Sequence, residues 1–139
     1  MSDNLYDINL SLNQLENTNF DSNSAQISYI TKRNEELREL RIIDLNDNDI
    51  RFLINQGEFH YCIISRAFDY LEEDLYREAL YYEGDLLSAL LDVSSLIWKN
   101  NPELEKRKNN LLTEEKLKSY EFVVDIINKE LKEKIHNLN

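Results

Sequence analysis

Glycine and proline are used sparingly in this chain, and their scarcity constrains its fold more than any other feature. Only Gly57, Gly84 and Pro102 occur in 139 residues, and each lies between segments of helical periodicity. Alternation of apolar and polar residues hardly appears, and the β-branched residues recur at helical spacing. We therefore predict an all-α fold, a single compact bundle of about five to seven helices joined by short turns.

Apolar residues at three- and four-residue spacing mark the individual helices. They predict helices from Gln26 to Leu40, from an Asn46 N-cap to Gly57, from Tyr61 to Leu75, from an Asp85 N-cap to Leu91, from Pro102 to Leu111 and from Thr113 onward. Ser94 and Ser95 predict a bend. The first helix should bury Ile27, Ile30, Leu37 and Leu40 on one face. The last carries Leu117, Tyr120, Val124, Ile127, Leu131 and Ile135 on one face.

The start of the chain differs in composition from the remainder. Residues 1–25 are rich in Asn, Ser and Asp, which predicts a polar, partly ordered leader followed by a helical domain over 26–139. No Lys or Arg precedes Lys32, so a signal peptide is not expected, and no apolar run reaches the roughly 18 residues of a membrane span. The lone Cys62 predicts a buried structural thiol in a reducing compartment. We expect a cytoplasmic protein with no membrane partner.

The net charge indicates which class of molecule this protein can bind. The chain has 27 acidic and 16 basic residues, a formal charge of −11. This charge repels a phosphate backbone and attracts basic proteins. We expect no direct binding to nucleic acid and a basic protein as partner.

Residue patterns for catalysis or cofactor binding are weak throughout the chain. Two glycines 27 positions apart cannot form a phosphate-binding loop. His60 and Cys62 are two positions apart on a predicted helix, so they point to different faces, and no second ligand pair accompanies them. We predict no catalytic residue, no cofactor and no metal site.

Acidic residues cluster between Asp69 and Asp85, where seven carboxylates accompany a single basic residue, Arg77. Tyrosines are interleaved with these acids, and tyrosine gives a large contact area at little entropic cost. Tyr70 and Tyr76 fit the core as well as the surface, and the whole segment also fits a solvated helix face with Asp85 acting only as a cap. The predicted partner-binding residues are Asp69, Glu72, Glu73, Asp74, Glu78, Tyr81, Tyr82, Glu83 and Asp85.

Three blocks of sequence carry a family resemblance. They are residues 46–56, which include Leu-Ile-Asn-Gln, residues 82–87, which include Gly-Asp-Leu-Leu, and residues 98–104, Trp-Lys-Asn-Asn-Pro-Glu-Leu. In their order and spacing, over about residues 10 to 111, the chain resembles the immunity proteins of bacterial contact-dependent growth inhibition (CDI) systems. It departs from that pattern at Glu83 and near Ile42, where the family often has proline, and in its long C-terminal helix.

The resemblance implies a helical cytoplasmic protein that binds the C-terminal toxin domain of a cell-surface effector, often a nuclease, and blocks it. It implies no catalytic residues. The acidity is compatible with this, because nucleases are basic where they hold nucleic acid. Two other functional classes stay open. The first is a helical adaptor or transcriptional regulator, which would need a basic DNA-facing stripe; Lys106, Arg107 and Lys108 come closest to one. The second is a small hydrolase that uses the carboxylates. The oligomeric state is left open.

Overall fold

The fold was obtained as a computed structural model that describes residues 6–18, 28–118 and 129–137. Within these ranges the α-helices are α1 (Leu12–Glu16), α2 (Tyr29–Arg38), α3 (Asp47–Asn55), α4 (Tyr61–Glu73), α5 (Asp85–Leu91), α6 (Ser95–Asn100), α7 (Pro102–Leu111), α8 (Glu114–Lys118) and α9 (Lys129–His136), with a 3-10 helix at Ile42–Asp44. The same ranges contain no β-strand, only isolated bridges between Ser11 and Arg41 and between Glu78 and Glu83. The all-α prediction is confirmed.

Local sequence sets the ends of α3, as predicted. The amide of Asp49 donates to Asn46 Oδ1 at 2.8 Å, and the Asp49 carboxylate accepts from the Asn46 amide at 3.0 Å. This reciprocal pair satisfies two donors that a helix start leaves unpaired. Gly57 follows the end of the helix with a φ of 85°, in the left-handed region that suits glycine.

Helix α4 lies at the centre of the core. It packs against α3, α5 and α7, while α9 packs against α5 and α6 against α7. Its inward face is fully buried through Ile64, Ala67 and Phe68. The Phe68 ring meets Trp98 edge to face, with 6.0 Å between the ring centroids. Each such large side chain stabilises the fold by about 1.5–3 kcal/mol on burial, so this face accounts for much of the stability.

The predicted apolar face of α2 is wrong in part. Leu37 is buried, but Ile30 is 51% and Leu40 is 43% exposed; Ile27 lies outside the described residues. Helix α2 packs against α3, and Leu37 and Arg38 near its end are the residues it buries. Sequence periodicity identifies an apolar face but cannot tell how much of it a neighbour covers.

Part of the leader belongs to the core. Leu12 and Leu15 of α1 are buried, and α1 begins with a capping box between Ser11 and Gln14. The amide of Ile42 donates to the Leu10 carbonyl at 3.0 Å, which joins the leader to the 3-10 helix. The predicted boundary between residues 25 and 26 lies outside the described residues.

Arg38 connects the leader to the rest of the fold. Its side chain is 10% exposed and pairs with the carboxylates of Glu16 and Glu58. It also donates to Asn13 Oδ1 at 3.0 Å and to Thr18 Oγ1 at 2.9 Å. Because a buried guanidinium is tolerated only when it is paired, this network fixes α1 against α2. Nothing in the sequence pattern distinguished Arg38 from the other charged residues of its helix.

The C-terminal helix is described in two parts, α8 and α9. Leu131 is fully buried and Ile135 packs against the core, as predicted. Tyr120, Val124 and Ile127 lie outside the described residues. None of the helices in the described ranges is long and apolar enough to cross a membrane.

Candidate partner-binding surface

The predicted partner-binding residues span the end of α4, the connection to α5 and the first residue of α5. We call residues Asp74–Gly84 the acidic loop. Its ends are drawn together by a bridge between Glu78 and Glu83 and by the Gly84 amide, which donates to the Arg77 carbonyl at 3.1 Å. The structure divides the predicted residues among three environments.

Asp69 and Glu72 lie on α4 and are neutralised within the protein. Arg107 of α7 donates to Asp69 at 3.0 Å and to Glu72 at 2.7 Å, and Arg66 lies 3.2 Å from Asp69. Arg107 also donates to Ser65 Oγ at 2.8 Å. Arg107, the central residue of the basic run at residues 106–108, is therefore paired within the protein, while Lys106 beside it is exposed.

Asp85 is buried and holds the acidic loop from inside. It is 4% exposed, and its carboxylate accepts from the amides of Ala79, Leu80 and Tyr81 at 2.7, 3.0 and 2.9 Å. The prediction that Asp85 is the N-cap of α5 is wrong by one residue, because Gly84 takes that position. The carboxylate faces the preceding loop instead of its own helix. It is therefore not available to a partner.

Arg77, the basic residue within the acidic segment, also fixes the loop. Its Nε donates to Asp47 Oδ2 at 3.0 Å and its Nη1 donates to the Tyr70 carbonyl at 3.2 Å. The guanidinium lies over the Tyr70 ring at 4.9 Å. These contacts join the loop to α3 and α4, so the loop backbone is held at several points.

The remaining carboxylates, those of Glu73, Asp74, Glu78 and Glu83, have little internal compensation. The Glu73 side chain is 78% exposed and reaches Arg77 only at 3.8 Å. Within the described ranges, Asp74, Glu78 and Glu83 form no ion pair. This part of the predicted set therefore keeps its negative charge toward solvent or, for the half-buried Glu83, at the loop surface.

Two apolar side chains stand among these acids. Tyr81 is 68% and Leu80 is 53% exposed. The Arg51 guanidinium lies 4.7 Å from the centre of the Tyr81 ring, a distance suited to a cation–π contact. Arg51 also donates to Asn48 Oδ1 at 2.8 Å, so the tyrosine rests on a fixed group. No pattern in the sequence indicates this pairing of two residues that lie 30 positions apart.

Two other tyrosines of the segment face inward, which confirms the core alternative for them. Tyr76 is 7% exposed and its hydroxyl donates to the Leu117 carbonyl at 3.0 Å. Tyr70 is half-buried and its hydroxyl donates to the Leu45 carbonyl at 3.0 Å.

An open cleft of about 210 Å³ lies beside the acidic loop. It is lined by Tyr81 and Tyr82 of the loop, Asn55 of α3, Asp92 at the end of α5 and Lys134 of α9.

His60 and Cys62, the candidate metal ligands of the sequence, have structural roles. The His60 ring accepts the Cys62 amide at 3.0 Å and caps α4, and burial lowers the pKa of His60. Cys62 is 2% exposed, which confirms the buried thiol, and burial followed by the Asp7 charge raises its pKa to about 11. Across the part of the chain that the structure describes, no three His, Cys, Asp or Glu side chains are grouped to hold a metal.

Comparison with known protein families identifies the family of this chain. Residues 14–107 match the family described as CDI immunity proteins, and neither curated proteins nor solved structures gave a match. The matched range covers more than half of the 139 residues and contains α2 to α6 and the acidic loop. The sequence resemblance is thereby confirmed, and this chain belongs to the family of CDI immunity proteins.

Proposed function

We propose that this protein binds the C-terminal toxin domain of its own CDI effector and neutralises it stoichiometrically, without catalysis. The acidic loop would contact a basic nuclease at its active site or substrate groove. Family membership supports the general role. The observation that carries the surface assignment is a loop fixed from inside by Asp85 and Arg77. Its own carboxylates form no ion pair among the residues that the structure describes.

The arrangement of side chains in the loop suits a protein interface. Leu80 and Tyr81 supply exposed apolar area, and the exposed carboxylates of Asp74 and Glu78, together with Glu73 at the end of α4, supply negative charge in the same segment. Interfaces commonly place aromatic anchors at the centre and polar groups at the rim. A fixed backbone also reduces the entropy that is lost on binding. Tyr81 would be the anchor and the carboxylates would accelerate encounter with a basic surface.

Charge reversal tests this assignment. Glu73 and Glu78 are both exposed, and the 3.8 Å contact of Glu73 with Arg77 is longer than the 3.0 Å contact of Asp47 with Arg77, which remains. Replacing both glutamates with lysine should therefore leave the fold intact while it removes the attraction for a basic toxin. We expect Glu73→Lys/Glu78→Lys to weaken toxin affinity by about tenfold or more, mainly through slower association. Binding kinetics with the purified toxin domain, together with circular dichroism of the variant, provide the measurement.

A matched control separates a local effect from a change in overall charge. Glu39 and Glu105 are exposed and form no ion pair within the described residues. Glu39→Lys/Glu105→Lys changes the net charge by the same amount and should bind the toxin much better than the loop variant does. If the two double variants bind alike, the acidic loop is not the contact surface.

Competition with substrate distinguishes groove blocking from binding elsewhere. If the loop covers the groove, the toxin should release a bound nucleic acid when this protein is added, and inhibition should weaken as the nucleic acid concentration rises. A complex that still binds nucleic acid with unchanged affinity would contradict groove blocking, although it would leave toxin neutralisation in place.

A further inference from the structure

Helix α9 lies outside the residues that match the family, yet it contacts the acidic loop and the helix that follows it. The match ends at residue 107, and α9 begins at Lys129. The helix packs against α5, the helix into which the acidic loop leads. A C-terminal helix beyond the matched residues therefore packs on the side of the protein that carries the proposed partner-binding loop.

The first contact is between Leu131 and the last residue of the loop. Gly84 has a φ of 87°, and a Cβ at this position would come within 2.2 Å of Leu131 Cδ2. Leu131 itself is fully buried. The loop backbone at Gly84 is therefore packed directly under a side chain of α9, immediately before the Asp85 carboxylate that collects the loop amides.

The second contact is made by Lys134. Its Nζ donates to Ser88 Oγ at 2.7 Å and to the Ser88 carbonyl at 3.3 Å, and it lies 2.7 Å from Asp92 Oδ2. Ser88 is buried, and Asp92 is the C-cap of α5. A cation at the C-terminal end of a helix is favourable because it meets the negative end of the helix dipole. Lys134 thus joins α9 to the end of α5, and it lines the same cleft as Tyr81.

We propose that α9 positions the acidic loop for toxin binding, through Leu131 on Gly84 and Lys134 on α5. The inference rests on the proposed function and adds a specificity element to it. When α9 is detached, the Gly84 backbone loses its cover and the three amides held by Asp85 open more often. Affinity then falls in proportion to the fraction of molecules in which the loop is ordered.

Amide hydrogen exchange of the full-length protein measures the positioning directly. In Lys134→Met, the amides of Ala79, Leu80 and Tyr81 should exchange about tenfold faster, while core amides of α4 keep their protection. Lys132→Met is the control, since it removes the same charge from the same helix at a position with no ion pair within the described ranges. Lys134→Arg keeps a cation and its donors and should restore slow exchange.

Toxin binding completes the test. We expect Lys134→Met to weaken toxin affinity about tenfold relative to Lys132→Met, with recovery in Lys134→Arg. Leu131→Ala, which removes the cover of Gly84 without a change in charge, should show the same two effects. Loop amides that exchange alike in Lys134→Met, Leu131→Ala and Lys132→Met would overturn the proposal.

The two proposals fail in different ways. If the reversals at Glu73 and Glu78 leave toxin affinity unchanged, the loop is not the contact surface, and the part of the proposal that concerns toxin binding falls with it. If those reversals weaken binding but the α9 variants change neither loop exchange nor affinity, the surface assignment stands and α9 has no positioning role.

Discussion

The Asp85 carboxylate shows how one buried charge can organise a surface loop. An ionised carboxylate in the interior is costly unless hydrogen bonds satisfy it. Three consecutive loop amides supply those bonds, at 2.7 to 3.0 Å, and Arg51 lies 3.9 Å away. Charge-assisted bonds of this kind are roughly twice as strong as neutral ones. Asp85 thus orders the exposed neighbours that are proposed to meet the toxin.

A comparison of alanine substitutions at Gly84 and Gly57 measures how closely α9 packs against the acidic loop. Both have positive φ, but only Gly84 has a neighbour in the space where a Cβ would lie, namely Leu131. We expect Gly57→Ala to cost about 1 kcal/mol from backbone strain. Gly84→Ala should cost about 3 kcal/mol, because overpacking adds to the strain. Urea unfolding of both variants measures the difference.

A second substitution identifies the source of that difference. Combining Gly84→Ala with Leu131→Ala makes room for the new methyl group, so the double variant should lose less stability than the sum of the two single losses. Equal losses for Gly57→Ala and Gly84→Ala would show that α9 does not press on the loop.

Among the helices, α4 depends on an unusual cap. His60 precedes the helix, and its neutral ring nitrogen accepts the Cys62 amide at 3.0 Å. Burial is the largest cause that lowers the pKa of His60 from its ordinary 6.5, and the positive charge of Arg38 lowers it further. The negative charges of Glu16 and Glu58 act in the opposite direction. A protonated ring has no lone pair to accept the bond, so the cap is present only in the neutral form.

The cap makes the stability of α4 dependent on pH. Because the pKa is lower in the folded protein, the unfolded chain binds the proton more readily between that pKa and 6.5. The stabilisation is therefore complete above pH 6.5 and is lost as pH falls through the folded pKa. Between about pH 7.5 and about pH 5, wild type should lose about 1 kcal/mol more than His60→Asn, which keeps an acceptor without this titration.

Urea unfolding at the two pH values provides the measurement for α4. Comparison of the two proteins at each pH removes the contributions that they share. A His60→Asn variant with the same pH dependence as wild type would contradict the role of His60 as a titrating cap.

At the scale of the whole molecule, net charge should govern the rate of encounter with a basic partner. The chain carries a formal charge of −11, and the acidic loop holds part of it uncompensated. As ionic strength rises from about 0.01 M to about 0.15 M, the Debye length falls from about 30 Å to about 8 Å. The association rate constant with the toxin should fall roughly tenfold over this range, while dissociation changes little.

Stopped-flow association at a series of salt concentrations tests this expectation. The Glu73→Lys/Glu78→Lys variant should show a shallower dependence than wild type, because it has lost the local part of the attraction. Association that is insensitive to salt would mean that charge does not steer the encounter.

The sequence alone determined the helical class, the start of α3, the buried face of α4 and the family, because these depend on spacing and on neighbouring residues. It also located the acidic segment. Only the tertiary structure decided the role of each acid, because that role depends on partners far along the chain. Arg107 neutralises Asp69 and Glu72 from α7, and Asp85 turns inward to the loop amides.

The tertiary structure likewise decided which apolar side chains of each helix are buried by a neighbouring element. Periodicity predicted a buried face for α2, but Ile30 is exposed; composition placed Leu12 in a polar leader, although this side chain is buried. A periodic pattern records which side of a helix is apolar, whereas burial requires a neighbour at the right place. For the acidic loop, composition predicted where the acidic segment lies. The contacts with Asp85, Arg77 and α9 decide which of its side chains face outward.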